Sequence, residues 1–598
     1  MPAAFLLPLK RFLLLALCVL PWLLPTARAL TLPDDGLHFT AMALHDAADT
    51  PQAMADDAIN SDRLVAFFEW LRGSGYTAVS LTDIEVARRG GRPLPPRAVL
   101  LTFDDGYASL YSRVFPLALA YRFPVVAALA GSWLEGDMGG QVRYGDRTVP
   151  RNRFISWTQA REMQSSGLVE FVSHGYDIHH TVRGNPQGSL MPAATTRIYA
   201  DDTGYEAEPA QRARLRADLE LSRQQMAREL GQAPRAIAWP FGRYSMMAVD
   251  VARELGFSWA LTMDAGPSTA RMPMTVARHF PSADPSLDTL AAMVSNDISF
   301  PSAQRWVCLD PALLWTGDAA TTDERLGRAI ERYRTLGVTG VVIDAAMIGT
   351  DGGLKQAWFP NRELPLQADV LSRMVWQLQT RAGVEVQVRL PSTRALATLG
   401  SAERVLRLFE DLGAFVPLGG LFVDDALALA PPNLPPHNGQ AWHTRAARDT
   451  LNPAQLTAND ALAMQSFRAV QRARPWLQLA VSLGELSAAT FASGPPPEPN
   501  PMADITWARA ELPANPAVSH AASYAAMAPE AVGRLRRSGV WLSGSGAIDA
   551  DVLTASALGL QRAGRSVLGW CPDDPVADLP NAKLAAPGIS AATFPVKF

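Results

Sequence analysis

Short apolar, β-favouring runs alternate with helical stretches along most of this chain, and polar residues recur where the runs end. MALHDAA (Met42–Ala48) reads as a first strand ending in His45-Asp46. The helical RLVAFFEWLRGSG, the strand YTAVSL and the strand AVLLTF (Ala98–Phe103) follow in βαβ order. FPVVAAL (Phe123–Leu129), VEFVSHG (Val169–Gly175), a polar helix from about Pro209 to Leu230, AIAWPFG (Ala236–Gly242) and FSWALTM (Phe257–Met263) continue the pattern. Such a chain is expected to be α/β, and α/β barrels place their sites at strand C-termini.

A polar, proline-bearing stretch follows, and then the alternation restarts. RWVCLD, GVVID, VEVQVRL, GGLFVDD, WLQLAVSL, ADITW, GVWLSG and SVLGWC supply eight further strands, which suits a second, TIM-like (β/α)8 barrel. The expected layout is a leader over 1–29, a first unit over 30–285, a linker over 286–303 and a second unit over 304–598. PPNLPPHNG and SGPPPEPNP read as loops or insertions.

The strand AVLLTF ends in Asp104 and Asp105, followed by Gly106. Neighbouring side chains of a regular strand point to opposite faces, so adjacent carboxylates share one pocket only where a turn relaxes the alternation. Two carboxylates there can divide the work, one holding a metal and the other a proton. A helix N-cap pair explains the same two letters equally well. SHGYDIHH (Ser173–His180) adds His174 and His179. Two imidazoles and one carboxylate leave coordination positions open, as a catalytic cation site requires. Residues five apart on a continuous helix cannot share a ligand, so this segment must be a turn, and His180 could serve in place of His179.

LTFDDGY, SHGYDIH and AWPFG, in this order and separation, resemble the polysaccharide deacetylase (NodB-homology) superfamily. The longer histidine spacing is similar to that of its exported poly-β-1,6-N-acetyl-D-glucosamine N-deacetylase subgroup, as are GGRPLPPRAVLLTFDDGY, QVRYGDRTVPR and GSLMP. The resemblance spans about His38 to Pro285. It implies an incomplete, distorted deacetylase barrel in which Asp104 is the general base and Asp105, His174 and His179 hold one divalent cation. That cation would be Zn²⁺ or another such as Co²⁺, Ni²⁺ or Fe²⁺. It further implies an oxyanion contact from the Tyr107 N–H and a sugar groove lined by Trp239, Pro240 and Phe241. His45 and Asp46 would lie near the site, and His180 would be packing. The superfamily's third-motif Arg and Leu-x-His are missing, as in the subgroup; His279 is expected to be a surface or supporting residue rather than an acid.

AWFPNRELPLQADVLSRMVWQLQTRAGV (Ala357–Val384), GGLFVDDALAL (Gly419–Leu429) and GWCPDDP (Gly569–Pro575) resemble the glycoside-hydrolase-like barrel that follows in that subgroup. Asp424 matches its catalytic acid, with Asp425 beside it to bind sugar. Val423 replaces a family His, and RLPSTRALATL replaces an aromatic-rich loop, so this barrel is expected to bind polymer or to be vestigial rather than to cleave it. The implied activity is N-deacetylation of the acetylated glucosamine polymer in the periplasm, with an outer-membrane export porin as a further partner. Deacetylation of another glycan (chitin oligomers, peptidoglycan or xylan) and non-catalytic polymer handling are the alternatives.

Lys10-Arg11 before FLLLALCVLPWLL, with Ala27-Arg28-Ala29 after it, reads as an export signal. Leu17 before Cys18 argues against a lipid anchor, and no later run is long enough to span a membrane. A net charge of −4 without a basic block excludes nucleic acid as partner. Past the leader only Cys308 and Cys571 remain. They would fall on the first and last strands of the second barrel, where a bridge is possible, but two separate buried thiols are the expectation.

Overall fold

The structure is a computed structural model that describes residues 35–50, 57–296 apart from 146 and 265, 304–423, 457–485, 503–511, 538–543 and parts of 553–575. The expected leader with Cys18, and the pair Asp424 and Asp425, lie outside the described residues.

The first unit is built on β1 (His38–Leu44), β2 (Thr77–Ala78), β3 (Ala98–Phe103), β4 (Val125–Leu129), the hairpin β5 (Gln141–Tyr144) and β6 (Arg147–Pro150), β7 (Val169–Ser173), β8 (Ala236–Ala238), β9 (Trp259–Leu261) and β10 (Ser268–Thr269). Eight of these form one sheet in the order β9-β8-β7-β4-β3-β1-β10, with β2 beside β3 and the hairpin separate. Within this sheet all strand pairs are parallel except β1 with β10.

The two edges curl towards each other. Val276 bridges Leu261 on β9, and His279 bridges Met42 on β1, through single-residue pairings rather than a ladder. The result is the incomplete barrel anticipated from the sequence.

Every residue of β3 is buried, because both faces are covered. Ala98 and Leu100 join an inner cluster with Ala41, Val126, Val172, Ala238, Leu261 and Val276. Val99, Leu101 and Phe103 face the helical layer, packing with Phe67 and Phe68 of α1 (Ser61–Gly73). The inner cluster is dominated by small and branched side chains, which lets the strands curve tightly.

The stretch expected to be a linker departs from expectation. Leu287–Val294 is a helix capped by Ser286, whose side chain accepts from the Thr289 N–H. Leu290 and Val294 pack into the outer core of the first unit, because their spacing places both on one helix face. The first unit therefore runs to at least Asn296.

The second unit is a closed barrel of eight parallel strands: β11 (Gln304–Leu309), β12 (Gly340–Asp344), β13 (Glu385–Arg389), β14 (Gly420–Val423), β15 (Gln478–Glu485), β16 (Ile505–Glu511), β17 (Ser538–Ser543) and β18 (Val567–Cys571). Trp306, Trp507 and Trp541 fill its lumen with Phe422, Val342 and Ala480. Each indole lies over a glycine of the next strand. A Cβ on Gly340 would sit 2.4 Å from Trp306, one on Gly539 2.1 Å from Trp507, and one on Gly569 2.3 Å from Trp541.

Closure sets β11 beside β18 with Val307 opposite Trp570, so the next residues, Cys308 and Cys571, also face each other. They form a disulfide, with Cα atoms 5.3 Å apart. This corrects the expectation of separate thiols: parallel neighbours in this register bring the two Cα atoms within ordinary bridging range.

The two units meet through polar and aromatic contacts, with Tyr205 against Phe415 and Tyr244 against Trp476. Met246 N–H donates to Arg472 O at 2.8 Å, Tyr205 OH to Asp369 Oδ2 at 2.7 Å, and Gln187 Nε2 to Asp369 O at 2.6 Å. Among the described residues no helix is long and apolar enough to cross a membrane. Gly340→Ala is expected to overpack the lumen against Trp306 and to cost roughly 1–3 kcal/mol, read as a lower barrel unfolding midpoint in denaturant.

Candidate metal centre

The site is assembled at the C-terminal ends of β3, β7 and β8. Along β3, Leu100 and Thr102 point inwards, so Asp104 does too; along β7, Val172 points inwards, so His174 does too. By the same alternation Asp105 would point away. Instead it adopts φ +74°, an unusual conformation for a side-chain-bearing residue that Asp tolerates better than most, and its carboxylate turns back beside Asp104. That left-handed residue resolves how neighbouring aspartates share one pocket.

Asp104 is 3% exposed and fully engaged. Its N–H donates to Leu44 O at 2.8 Å, and Arg278 donates to both of its carboxylate oxygens at 2.8 Å each. Arg278 also donates to Thr102 Oγ1 at 2.7 Å and to Thr262 O at 3.2 Å. Burial opposes the charge on Asp104, but the guanidinium holds its carboxyl below the ordinary range.

Arg278 comes from the segment that almost closes the sheet, where Val276 already faces inwards. AIAWPFG itself carries no cation, and the one that meets Asp104 comes from elsewhere in the chain. The lone Arg inside the apolar MTVARHF was the sequence signal for it.

Asp105 is 1% exposed and differs in one respect. Its Oδ2 accepts from Tyr144 OH at 2.9 Å, while its Oδ1 has no hydrogen bond. That oxygen faces His174 Nε2 at 3.3 Å and His179 Nε2 at 3.4 Å. One ligand atom from each of the three residues falls within a 4.8 Å cluster.

His174 Nδ1 lies 2.8 Å from the Ala238 carbonyl, which fixes the ring and leaves the Nε2 lone pair towards the cluster. His179 sits among rings, with centroids 4.4 Å from Phe241 and 4.7 Å from Trp133. Burial pushes its imidazole down to about 4, so it is neutral at neutral pH. An unbonded buried carboxylate oxygen facing two imidazole nitrogens is a donor set suited to a divalent cation of the Zn²⁺ class.

The SHGYDIH segment is a turn, as the histidine spacing demanded. Gly175 has φ +80°, and a Cβ there would lie 2.4 Å from Ile178. Asp218, on the helix α2 (Glu208–Leu230), accepts from Tyr176 N–H at 2.9 Å and Asp177 N–H at 2.7 Å. Sequence reading missed Asp218, although it lies in phase with Leu215, Leu219 and Ser222 on the buried face of α2. His180 is held by the Asp177 carbonyl and stands outside the cluster.

The remaining expected site residues divide. His45 bears on the charges of Asp104 and Asp105, has an unpartnered Nδ1, and meets the half-exposed Phe280 edge-on at 5.1 Å. Asp46 is tied back by Ser109 Oγ at 2.6 Å, with Arg153 at 3.6 Å. Tyr107 is buried against Phe154 on the turn that carries Asp105.

Trp239 does not line a groove: it is 0% exposed and stacks on Tyr244. Ala238 faces inwards, so alternation sends Trp239 into the helical layer. Pro240 is buried as well, and of the three only Phe241 (φ +57°) reaches the cluster, against His179. His279 is buried and bonded to Asn296 at 2.9 Å, not at the surface.

With this geometry in hand, the comparisons with known proteins agree. Residues 91–260 match the polysaccharide deacetylase family, and residues 309–395 match hypothetical glycosyl hydrolase family 13. The chain is 34% identical over 355 residues to the poly-beta-1,6-N-acetyl-D-glucosamine N-deacetylase of Escherichia coli (strain K12), covering 59% of this chain and 53% of that protein. It thus spans about half the length of the curated relatives it matches. Among solved structures, it is 38% identical to the BpsB deacetylase domain from Bordetella bronchiseptica (42% of this chain, 97% of that one, TM-score 0.38). It is 32% identical to a de-N-acetylase from Aggregatibacter actinomycetemcomitans (43% and 99%, TM-score 0.41).

Two outcomes follow from the packing. Arg278→Met leaves the Asp104 carboxylate buried without its cation and is expected to cost about 3–5 kcal/mol, measured by denaturant unfolding. Burial raises Asp218 from 3.8 to about 6, so the folded chain keeps a proton that the unfolded chain has already released. Its contribution to stability therefore falls as pH rises from about 4 to about 6, by roughly 3 kcal/mol at most. Asp218→Asn should remove that slope from a comparison of unfolding midpoints across this window.

Proposed function

We propose that the first unit, whose residues 91–260 match the polysaccharide deacetylase family, hydrolyses N-acetyl groups of poly-β-1,6-N-acetyl-D-glucosamine, releasing acetate. The observation that carries this reading is the unbonded Asp105 Oδ1 facing His174 and His179, beside an Asp104 gripped by Arg278.

Asp105, His174 and His179 would hold a divalent ion, which when bound supplies a Lewis acid for the amide carbonyl and the attacking water. Asp104 is the general base. Arg278 keeps it ionised, and each carboxylate oxygen retains a lone pair to receive the water proton. As water adds to the acetyl carbon, the Tyr107 N–H would donate to the developing oxyanion.

Breaking the C–N bond then requires a proton on the departing sugar amine. His45 is close enough to act on the charge of both carboxylates, lies outside the cluster, and has an unpartnered Nδ1. We assign proton delivery to it, since His279 is occupied by Asn296. Phe280, 36% exposed beside His45, offers the sugar an aromatic face in place of the buried Trp239.

An export signal over residues 1–29 would put the reaction in the periplasm. There the second barrel would hold the partly deacetylated polymer, with Asp424 and Asp425 near its bound amines, and pass it to an export porin.

Acetate release from N-acetylglucosamine oligomers tests the reading. A chelator should abolish it, and added Zn²⁺ or Co²⁺ should restore it. Asp104→Asn should lower kcat by about 10²–10⁴ with little change in KM. Chelator-insensitive release, or full activity in Asp105→Ala, would overturn the reading.

A further inference from the structure

The QVRYGDRTVPR segment has no part in the chemistry above, yet it forms the hairpin β5–β6 and delivers one hydroxyl to the centre of the site. Tyr144, the last residue of β5, donates to Asp105 Oδ2 at 2.9 Å. Its own hydroxyl lies 2.7 Å from Tyr107 OH, and both phenols reach Asp57 Oδ2, Tyr107 at 3.0 Å and Tyr144 at 3.3 Å. The Tyr144 ring is wedged between Trp133, with centroids 4.8 Å apart, and Phe154 at 6.1 Å. The hydroxyl thus has little freedom to follow a moving carboxylate.

We propose that Tyr144 is a positioning residue for Asp105. By occupying Oδ2 it leaves Oδ1 as the single oxygen presented to a cation, and Tyr107 and Asp57 hold Tyr144 in place. The inference rests on reading Asp105, His174 and His179 as a cation site.

Its physical basis is the softness of the torsion it restrains. The carboxylate plane of an aspartate turns through a broad, roughly two-fold well, so nothing in the side chain itself selects one oxygen. Asp105 is also the residue of the cluster whose backbone is in the left-handed region, so its direction depends on outside contacts more than that of either histidine. His174 has the Ala238 carbonyl as its orienting partner. Asp105 has Tyr144, and such outer partners set the basicity and direction of a metal ligand. Ring packing alone would not account for the arrangement, because it is the phenolic oxygen and not the ring that meets the carboxylate.

Tyr144→Phe in the full chain separates the two roles, since it keeps the ring and removes the bond. Zn²⁺ affinity is measured by competition with a chromophoric chelator, and the visible absorption of the Co²⁺-loaded chain reports ligand geometry. Tyr144→Phe should bind Zn²⁺ roughly 10–100-fold more weakly and alter the Co²⁺ bands. Tyr107→Phe, whose hydroxyl touches Tyr144 but not Asp105, should show a smaller loss of the same kind. Affinity within twofold of the unmodified chain together with a superimposable Co²⁺ spectrum in Tyr144→Phe would overturn the proposal. So would a Tyr107→Phe loss equal to or greater than that of Tyr144→Phe. An Asp105→Ala chain that binds Zn²⁺ as tightly as the unmodified one would instead remove the cation-site reading itself, which keeps the two failures distinct.

Discussion

A carboxylate sealed from water stays charged only if something else takes over the work of solvation, and for Asp104 that is Arg278. Both partners are almost wholly buried, and the guanidinium spans both carboxylate oxygens while its remaining donors reach Thr102 and the Thr262 carbonyl. An isolated buried ion pair of this kind is weak evidence for stability. Its value lies elsewhere: it pins the segment around Val276–His279 against the end of β3, and that segment is what draws the edges of the sheet together. The near-closure of the first barrel and the ionisation of its proposed base depend on the same two side chains.

Around that pair, the site follows from strand alternation and its interruptions. Regular alternation delivers Asp104, His174 and Arg278 inwards from three segments. A left-handed Asp105 adds the second carboxylate, and a turn pivoting on Gly175 adds His179. Asp218 stabilises that turn by accepting two of its backbone N–H groups. Ser173, pointing outwards on the same strand, ties it to α2 through Ser222 at 2.8 Å. Helix and strand thus cooperate to place one imidazole.

What the sequence made legible, and what it hid, divides along the same line. The succession of strands along the chain and the second barrel could be read because local patterns carry them; the same patterns offered Asp104, Asp105 and His174 as candidates, while the choice of His179 over His180 came from the family resemblance. Arg278 and Asp218 were hidden because each acts across more than 40 residues of chain, as a polar letter in an otherwise apolar context whose partner only the fold reveals. Trp239 misled for a different reason. A large aromatic beside a site motif suggests a sugar platform, but period-two geometry sends it to the opposite face from Ala238. The helix at Leu287–Val294 was masked by the serines, prolines and aspartates around it.

Both barrels fill their interiors, and this confines chemistry to their rims. In the second unit tryptophans lie over glycines and plug the lumen, so a polymer can only cross the strand ends, where Asp344 and Arg389 already neutralise each other through two hydrogen bonds, one of them at 2.8 Å. In the first unit the interior is closed by Ala, Val and Leu. Asp104, Asp46 and Asp218 each have protein partners on their carboxylates. Asp105 Oδ1 has none, although it is buried and faces two nitrogens. A fold that gives the neighbouring carboxylates protein partners and leaves this oxygen open, with the likewise unpartnered Nδ1 atoms of His179 and His45 nearby, gathers its unmet demand around one cluster. That cluster, more than the conjunction of two aspartates, gives the first rim its chemical character.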